Sequence, residues 1–160
     1  MNDQDSYSWF FRAEYPGVVR TTYLVVRDVG TAEDAAQEAF IQLLRHWRKV
    51  SRYEQPDAWV RRIAMRKATR RAKRDRKRSV LEGGRAEDRG VEEGSGALED
   101  LVRSLPPQQR AAIVLFYYED RPVSEIASVL TCSESTVKVH LHRARKALGQ
   151  RLGGEAFDVE

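Results

Sequence analysis

Apolar residues recur at three- and four-residue spacing through most of the chain, which is the pattern of amphipathic helices rather than of strands. Residues 79–96 break this pattern: they contain five glycines and only one short apolar pair, so no core can form from them. We therefore predict an all-α protein of two small helical domains, residues 7–78 and 97–152, joined by a flexible linker, 79–96. The second domain should contain four helices.

Local signals suggest where individual helices begin and which side chains form the cores. Pro16-Gly17 predicts a kink or a break between two helices. Thr31 and Asp34 fit a capping box, and Pro107 suits the first position of a helix. The predicted core positions are Trp9, Phe10, Tyr15, Val18, Ala36, Phe40, Leu43, Leu44, Trp47, Trp59, Ile63 and Ala64 in the first domain, and Ala112, Ile113, Phe116 and Tyr117 in the second.

Residues 122–148 predict a short helix, a tight turn and a longer basic helix. Ser133 is the expected N-cap of the second helix, and Cys132 in the turn is expected to be a small buried apolar residue. A buried stripe follows from the spacing of Val137, Leu141, Ala144 and Leu148. This is the pattern of a helix-turn-helix whose second helix lies in the DNA major groove. An ordinary αα-hairpin with a solvated charged face is the alternative.

Residues 58–78 contain eleven basic residues and one acidic residue. Like charges four residues apart destabilise an isolated helix, and a phosphate backbone would neutralise them. Trp59 and Ile63 attach the start of this helix to the fold, which argues against a simple basic targeting tail. We therefore predict contact with nucleic acid along this helix.

Asp34, Gln37, Glu38 and Ile41 lie at i, i+3, i+4 and i+7 of the second predicted helix and so share one face. Most acidic strips of this kind are solvated surface. Docking on another protein is the alternative, and the aliphatic side chain within the strip is its only support in the residues themselves.

Charge is unevenly placed along the 160 residues. The formal net charge is +4, but residues 51–78 alone carry +9, while residues 79–104 carry −4 and residues 105–160 carry zero. A basic block of this density indicates a polyanionic partner. The single cysteine and the absence of a long apolar run lead us to expect a protein of the cytoplasm. No arrangement of nucleophile, carboxylate pair or metal ligands is evident, so we expect no enzyme activity, no cofactor and no metal.

Several short motifs follow one another in a fixed order. They are Asp34, Gln37, Glu38 and Phe40, then WVRRIA at 59–64, LPPQQR at 105–110, YYED at 117–120, EIA at 125–127 and TVKVHLHRAR at 136–145. Over residues 10–152 this series resembles the bacterial RNA polymerase sigma factors of the extracytoplasmic-function group. Residues 55–62 are similar to those of its short actinobacterial members. Arg66, Arg70 and Thr131 stand where the family often has Asn, Asp and Gly.

The resemblance implies a sigma factor that binds core RNA polymerase, directs promoter-specific initiation and assists DNA opening. The clamp helices of the largest polymerase subunit would receive Asp34, Gln37, Glu38 and Ile41. The minus-ten promoter element would be contacted by Arg52, Trp59, Arg62, Arg66, Lys67, Arg70, Arg71 and Arg74. The minus-thirty-five element would be read by Ser135, Thr136, Lys138, Val139, His142 and Arg143. The second domain would also dock on the flap of the second-largest subunit, and an anti-sigma factor is the usual further partner of the group.

Two other functions stay open on the residues alone. A response-regulator-type transcription factor also suits the helix-turn-helix, but it predicts an α/β domain upstream, where this chain has helices. An RNA-binding module would use the basic helix and leave both the acidic strip and the helix-turn-helix unexplained.

Overall fold

The computed structural model describes residues 2–83 and 97–151, which form helices and turns without strands. The chain divides into two compact units, residues 1–90 and 91–160. The all-α prediction is confirmed. Most of the predicted linker, residues 84–96, and the C-terminal tail after residue 151 lie outside the described residues. None of the described helices has an apolar stretch long enough to cross a bilayer.

The described part of the N-terminal unit contains four helices: α1 (Asp3–Val26), α2 (Val29–Arg45), the short α3 (Trp47–Val50) and α4 (Pro56–Leu81). The three long helices pack against one another, and α4 contacts both α1 and α2. Pro56 begins α4, where its missing N–H leaves no helical bond unmade. The helix continues to Leu81, three residues past the predicted domain boundary at residue 78.

Helix α1 is one continuous helix across Pro16-Gly17, so of the predicted kink or break, a break between two helices does not occur. Tyr15 and Val18, on either side of Pro16, pack against the same core, and this packing outweighs the hydrogen bond that proline removes. Gly17 has another role. A Cβ atom added there would lie 3.2 Å from Nη2 of Arg61, so glycine leaves room for a buried guanidinium.

Helix α2 begins two residues earlier than the capping-box pattern predicted. Asp28 is its N-cap, and Oδ1 of Asp28 accepts a hydrogen bond from the Thr31 N–H at 3.2 Å. Thr31 itself lies inside the helix and is buried. The predicted Thr31–Asp34 cap is therefore wrong. Asp28, three residues upstream, caps the helix, and the Thr31 side chain packs in the core.

An aromatic cluster between α1 and α2 forms the centre of the N-terminal core. The Phe40 ring lies 5.1 Å from that of Phe11 and 5.5 Å from that of Tyr15, both edge to face. The Trp47 ring lies 5.2 Å from that of Phe10. The two polar groups are bonded: Tyr7 Oη donates to the Phe40 carbonyl and Trp47 Nε1 donates to Ser6 Oγ. Such pairs stabilise the fold beyond the area they bury.

Two predicted core residues of this unit are instead exposed. Trp9 is 71% exposed and Leu44 is 54% exposed. Thr21, Thr22, Val60 and Met65, which the pattern did not single out, are buried. The buried face of α4 is wider than the sequence pattern predicted, because this helix packs against both α1 and α2.

The C-terminal unit contains α5 (Ala97–Arg103), α6 (Pro107–Ile113), α7 (Val123–Leu130) and α8 (Glu134–Arg151). Pro107 begins α6, as predicted. The core of the C-terminal unit includes Leu105, Ala112, Leu115, Ile126, Val129, Val137, Leu141 and Leu148, all buried.

A π-helical turn, Val114–Tyr118, follows α6 directly. The Glu119 N–H donates to the Val114 carbonyl, five residues back, at 3.1 Å. This wider turn rotates the side chains after it away from the α-helical register. Tyr117 is consequently 50% exposed, which contradicts its predicted core position, and Leu115 takes the buried place.

Candidate nucleic-acid interface

The turn of the helix-turn-helix is held by backbone and side-chain bonds on both sides. Helix α7 ends at Leu130 and is capped by Thr131, whose φ of 56° lies in the left-handed region, and the Cys132 N–H donates to the Ala127 carbonyl at 3.0 Å. Ser133 Oγ accepts from the Thr136 N–H at 3.1 Å, which confirms the predicted N-cap of α8. Cys132 is half-buried, not fully buried as predicted.

Helix α8 has one buried stripe and one open face. Val137, Leu141, Ala144 and Leu148 are all buried, as predicted, and α8 packs against α7, in which Ala127 is also buried. The residues predicted to read DNA lie off this stripe: Ser135, Lys138, Val139, His142 and Arg143 are exposed, and Thr136 is half-buried. Because the stripe fixes the roll of the helix, it also fixes the face that these residues present.

Arg145 and His140 of α8 do not belong to that open face. Arg145 Nε donates to Tyr117 Oη at 2.8 Å, and its guanidinium also lies over the Phe116 ring, so this cation is occupied inside the unit. Burial lowers the pKa of His140, and the nearby charge of Arg143 lowers it further. His140 is therefore neutral at pH 7, and Lys138 and Arg143 supply the positive charge near the start of the helix.

Helix α4 carries an exposed basic face on the N-terminal unit. Arg66, Arg70 and Arg74 are exposed, and within the described residues they make no ion pair. Arg62 is half-buried, and Arg52, in the loop before the helix, is exposed. An unpaired row of guanidiniums one turn apart suits the regularly spaced phosphates of a nucleic-acid strand.

Trp59 and two of the basic residues of α4 contact other side chains of the N-terminal unit. The Trp59 ring packs on the N-terminal core and lies edge to face with His46 at 6.2 Å. Arg71 Nη1 donates to Asp34 Oδ2 of α2, and Lys67 Nζ lies 3.4 Å from Glu38 Oε2. The hydrogen bond to Asp34 raises the pKa of the Arg71 guanidinium above its ordinary value.

Helix α2 exposes all four residues of the acidic strip, Asp34, Gln37, Glu38 and Ile41. Ile41 is 54% exposed, which is unusual for an aliphatic side chain surrounded by a polar surface. Asp34 and Glu38 pair with side chains of α4, whereas Gln37 and Ile41 make no hydrogen bond or ion pair within the described residues. A groove of about 420 Å³ lies between α2 and α4 and is lined mainly by charged side chains of these two helices.

The sequence predicted which residues of α2 and α4 are on the surface but missed the pairing between them. Asp34 and Glu38 are four residues apart, as are Lys67 and Arg71, and this matched spacing was the signal available. Arg61 is one of the eleven basic residues of 58–78 but was not among those predicted to contact DNA. It is in fact buried, and its Nη1 lies 2.9 Å from Glu14 Oε2.

Comparison with known proteins defines the class. Residues 10–78 match the profile of sigma-70 region 2, and residues 95–148 match that of sigma-70 region 4. The RNA polymerase sigma-E factor of Streptomyces antibioticus is 30% identical over 92% of this chain and 85% of its own length. The probable RNA polymerase sigma factor RfaY of Xanthomonas campestris is 31% identical over 93% of this chain, which spans only 41% of that longer protein.

The fold is similar to that of a solved structure. The sigma factor RpoE of Bartonella quintana, solved in complex with the anti-sigma factor NepR, superposes with a TM-score of 0.72 at 22% identity. The match covers 94% of this chain and 98% of that one. The chain belongs to the sigma-70 family of RNA polymerase sigma factors, in its extracytoplasmic-function group.

The function follows from this membership. The chain is a promoter-specific transcription initiation factor whose partners are core RNA polymerase and promoter DNA. A response-regulator-type regulator is not favoured, because the upstream half is helical and matches sigma-70 region 2.

Proposed function

We propose that three exposed faces divide the work of initiation. The strip on α2 docks on the clamp helices of the largest polymerase subunit. The basic face of α4, with Arg52 and Trp59, engages the minus-ten element and helps to open the duplex, and the open face of α8 reads the minus-thirty-five element. The polymerase performs the chemistry, so this protein needs no enzyme activity or cofactor of its own.

The observation that carries the proposal is the open face of α8. A capped helix of 18 residues buries one apolar stripe and presents a short, mostly polar set of side chains near its N-terminus. That is the part of a recognition helix that meets base edges in the major groove. The open faces of α2 and α4 supply the two other contacts that initiation requires.

On α4, Arg66 and Arg70 replace the Asn and Asp that the family often has. Both are exposed, so we assign them to the phosphate backbone rather than to base edges. Trp59 is the residue of α4 best placed to stack on an unpaired base, because it is aromatic and half-buried at the start of the helix.

Further contacts belong to the same proposal. The C-terminal unit also docks on the flap of the second-largest subunit, and the protein works in the cytoplasm together with the polymerase. An anti-sigma factor is proposed as its regulator, as NepR is the partner of the Bartonella quintana protein.

The docking surface is best tested at Gln37 and Ile41. Both are exposed, and within the described residues neither side chain makes a hydrogen bond or ion pair. The double variant Gln37→Ala/Ile41→Ala should therefore keep its thermal stability. Its affinity for core polymerase should fall at least about tenfold, since truncating a residue that anchors the centre of an interface costs about 2 kcal/mol or more.

The matched control for this test is Gln4→Ala, which removes an exposed amide from α1. It should bind core polymerase as the unaltered chain does. Undiminished co-purification of the Gln37→Ala/Ile41→Ala variant with core polymerase would contradict the docking assignment.

A further inference from the structure

Two acidic residues of α2 face two basic residues of α4 across the groove between these helices. Arg71 donates a hydrogen bond to Asp34, and Lys67 lies 3.4 Å from Glu38. Asp34 precedes Glu38 by four residues and Lys67 precedes Arg71 by four, so the two pairs stack side by side between antiparallel helices. The acidic residues of α2 and the basic residues of α4 thus have the same four-residue spacing, and two ion pairs form between the helices.

Each of the four residues also has a place in the proposed function. Asp34 and Glu38 belong to the docking strip, and Lys67 and Arg71 belong to the basic face of α4. A carboxylate that accepts from Arg71 is less available to a donor on the polymerase. A guanidinium that donates to Asp34 is likewise less available to a phosphate.

The pairs are exposed enough to exchange partners. The side chains of Arg71 and Asp34 are 45% and 50% exposed, and those of Lys67 and Glu38 are 37% and 59% exposed. Ion pairs in such settings contribute little to stability, so a competing charge can displace them at small cost. A buried pair, such as that of Arg61 with Glu14, would not exchange in this way.

The basic face of α4 therefore consists of two sets. Arg66, Arg70 and Arg74 make no ion pair within the described residues. Lys67 and Arg71 are paired with carboxylates of α2. Of these five residues, only the second set loses an ion-pair partner when the docking strip is engaged.

We propose that Asp34 and Glu38 are positioning residues that hold Arg71 and Lys67 away from nucleic acid until core polymerase engages the carboxylates and releases the two cations. This inference rests on the proposed docking role of the α2 strip. It predicts that free protein contacts DNA with fewer cations than polymerase-bound protein does. Because coupling between two binding events is reciprocal, the same pairs should also weaken docking on the polymerase.

The first test measures the salt dependence of binding between the full chain and a fluorescent single-stranded oligonucleotide, without polymerase. Each cation that newly reaches a phosphate steepens the slope of log affinity against log salt by about 0.7. The Asp34→Asn/Glu38→Gln variant should therefore give a slope steeper by about 1.4. Glu33→Gln is the single-charge control, since Glu33 is exposed on the same helix and makes no ion pair within the described residues. It should leave the slope unchanged.

A further variant distinguishes the release of Arg71 from a general effect of the added positive charge. Arg71→Gln should lower the slope in the Asp34→Asn chain and leave it nearly unaltered in the parent chain, where Arg71 is already held. Equal slopes for the Asp34→Asn/Glu38→Gln variant, the Glu33→Gln control and the parent chain would overturn the inference.

The second test measures affinity for core polymerase. Lys67→Gln/Arg71→Gln frees both carboxylates and should tighten docking by about two- to fivefold, the range expected for exposed ion pairs. Arg66→Gln/Arg70→Gln, with the same charge change, should not alter docking. If docking falls in the Gln37→Ala/Ile41→Ala variant but does not change in Lys67→Gln/Arg71→Gln, the docking surface stands and the inference fails. If neither variant alters docking, the proposed function itself fails at this surface.

Discussion

Thr131 ends α7 in a conformation that suits glycine better than a β-branched residue. Its φ is 56° and its ψ is 53°. The left-handed region costs an ordinary residue about 1–2 kcal/mol, and branching at Cβ adds to the clash. The side chain is exposed, so replacing it loses no packing. Thr131→Gly should raise the free energy of unfolding of the C-terminal unit by about 1 kcal/mol after allowing for the freer unfolded chain.

Hydrogen exchange of the α7 and α8 amides measures this gain in the full chain. Asp120→Gly is the control. Asp120 also has a positive φ, 54°, but aspartate tolerates that region better than threonine. A gain at residue 120 as large as that at residue 131 would show that Thr131 is not the strained position.

Arg61 is a structural residue within a run of DNA-binding candidates. Its side chain is 6% exposed, and its partner Glu14 is 30% exposed. Arg61→Met leaves Glu14 without its cation in a partly buried place, so the N-terminal unit should lose about 2 kcal/mol of stability. Urea denaturation followed by tryptophan fluorescence measures this, since Trp9, Trp47 and Trp59 all lie in that unit.

Arg12→Met provides the matched control, because Arg12 is an exposed residue of α1. The control should change stability by less than about 0.5 kcal/mol. A similarly small loss for Arg61→Met would mean that the buried pair with Glu14 does not stabilise the fold.

Single residues also mark what sequence could and could not predict. The cap at Ser133 was predictable because this hydroxyl directly precedes a clear helical pattern, and the cap at Thr31 failed because Asp28 is the N-cap instead. Arg61 could not be assigned from its surroundings in the sequence. Its burial depends on Glu14 and Gly17, which are distant in the chain.

Among the helices, α8 is the element whose function can be tested most cleanly. Lys138 and Arg143 are exposed on its open face and make no ion pair within the described residues. If they contact base edges, Lys138→Ala or Arg143→Ala should weaken binding to the cognate promoter by about 1–3 kcal/mol each. Footprinting of the polymerase complex at several salt concentrations measures the loss.

Lys146→Ala is the control on the same helix, because this exposed lysine lies towards the C-terminal end, away from the residues that enter the groove. It should reduce binding less and without regard to sequence. Equal occupancy of the cognate promoter by the Lys138→Ala and Arg143→Ala variants would contradict the reading assignment.

Helical periodicity predicted most elements but not every register. The stripe on α8 was predicted fully because nothing interrupts the α-helical period there. After α6 the π-helical turn shifts the register of the side chains. The α-helical period therefore predicted Tyr117 as a core residue and did not predict the burial of Leu115. The pairing of α2 with α4 required knowing which helix faces which, and that information lies in tertiary packing.

On the scale of the whole molecule, charge and recognition lie in different units. Residues 51–78 carry +9, whereas residues 105–160 are neutral. If the C-terminal unit reads the promoter as proposed, it does so without a strong general attraction to DNA. Attachment to the polymerase would then supply that attraction by raising the local concentration of promoter DNA.

The class of protein was predictable at this scale because several motifs follow in a fixed order along two helical domains. The comparisons confirm that class. They do not assign roles to residues, and the exposed faces of α2, α4 and α8 supply those assignments as testable proposals.

In-vitro transcription tests the central claim most directly. Core polymerase is incubated with genomic fragments, with and without the full chain, and the 5′ ends of the transcripts are mapped. We expect discrete start sites only when the protein is present, and their loss with the Lys138→Ala/Arg143→Ala variant, which should still co-purify with core polymerase. Start sites that are the same with and without the protein would contradict the account.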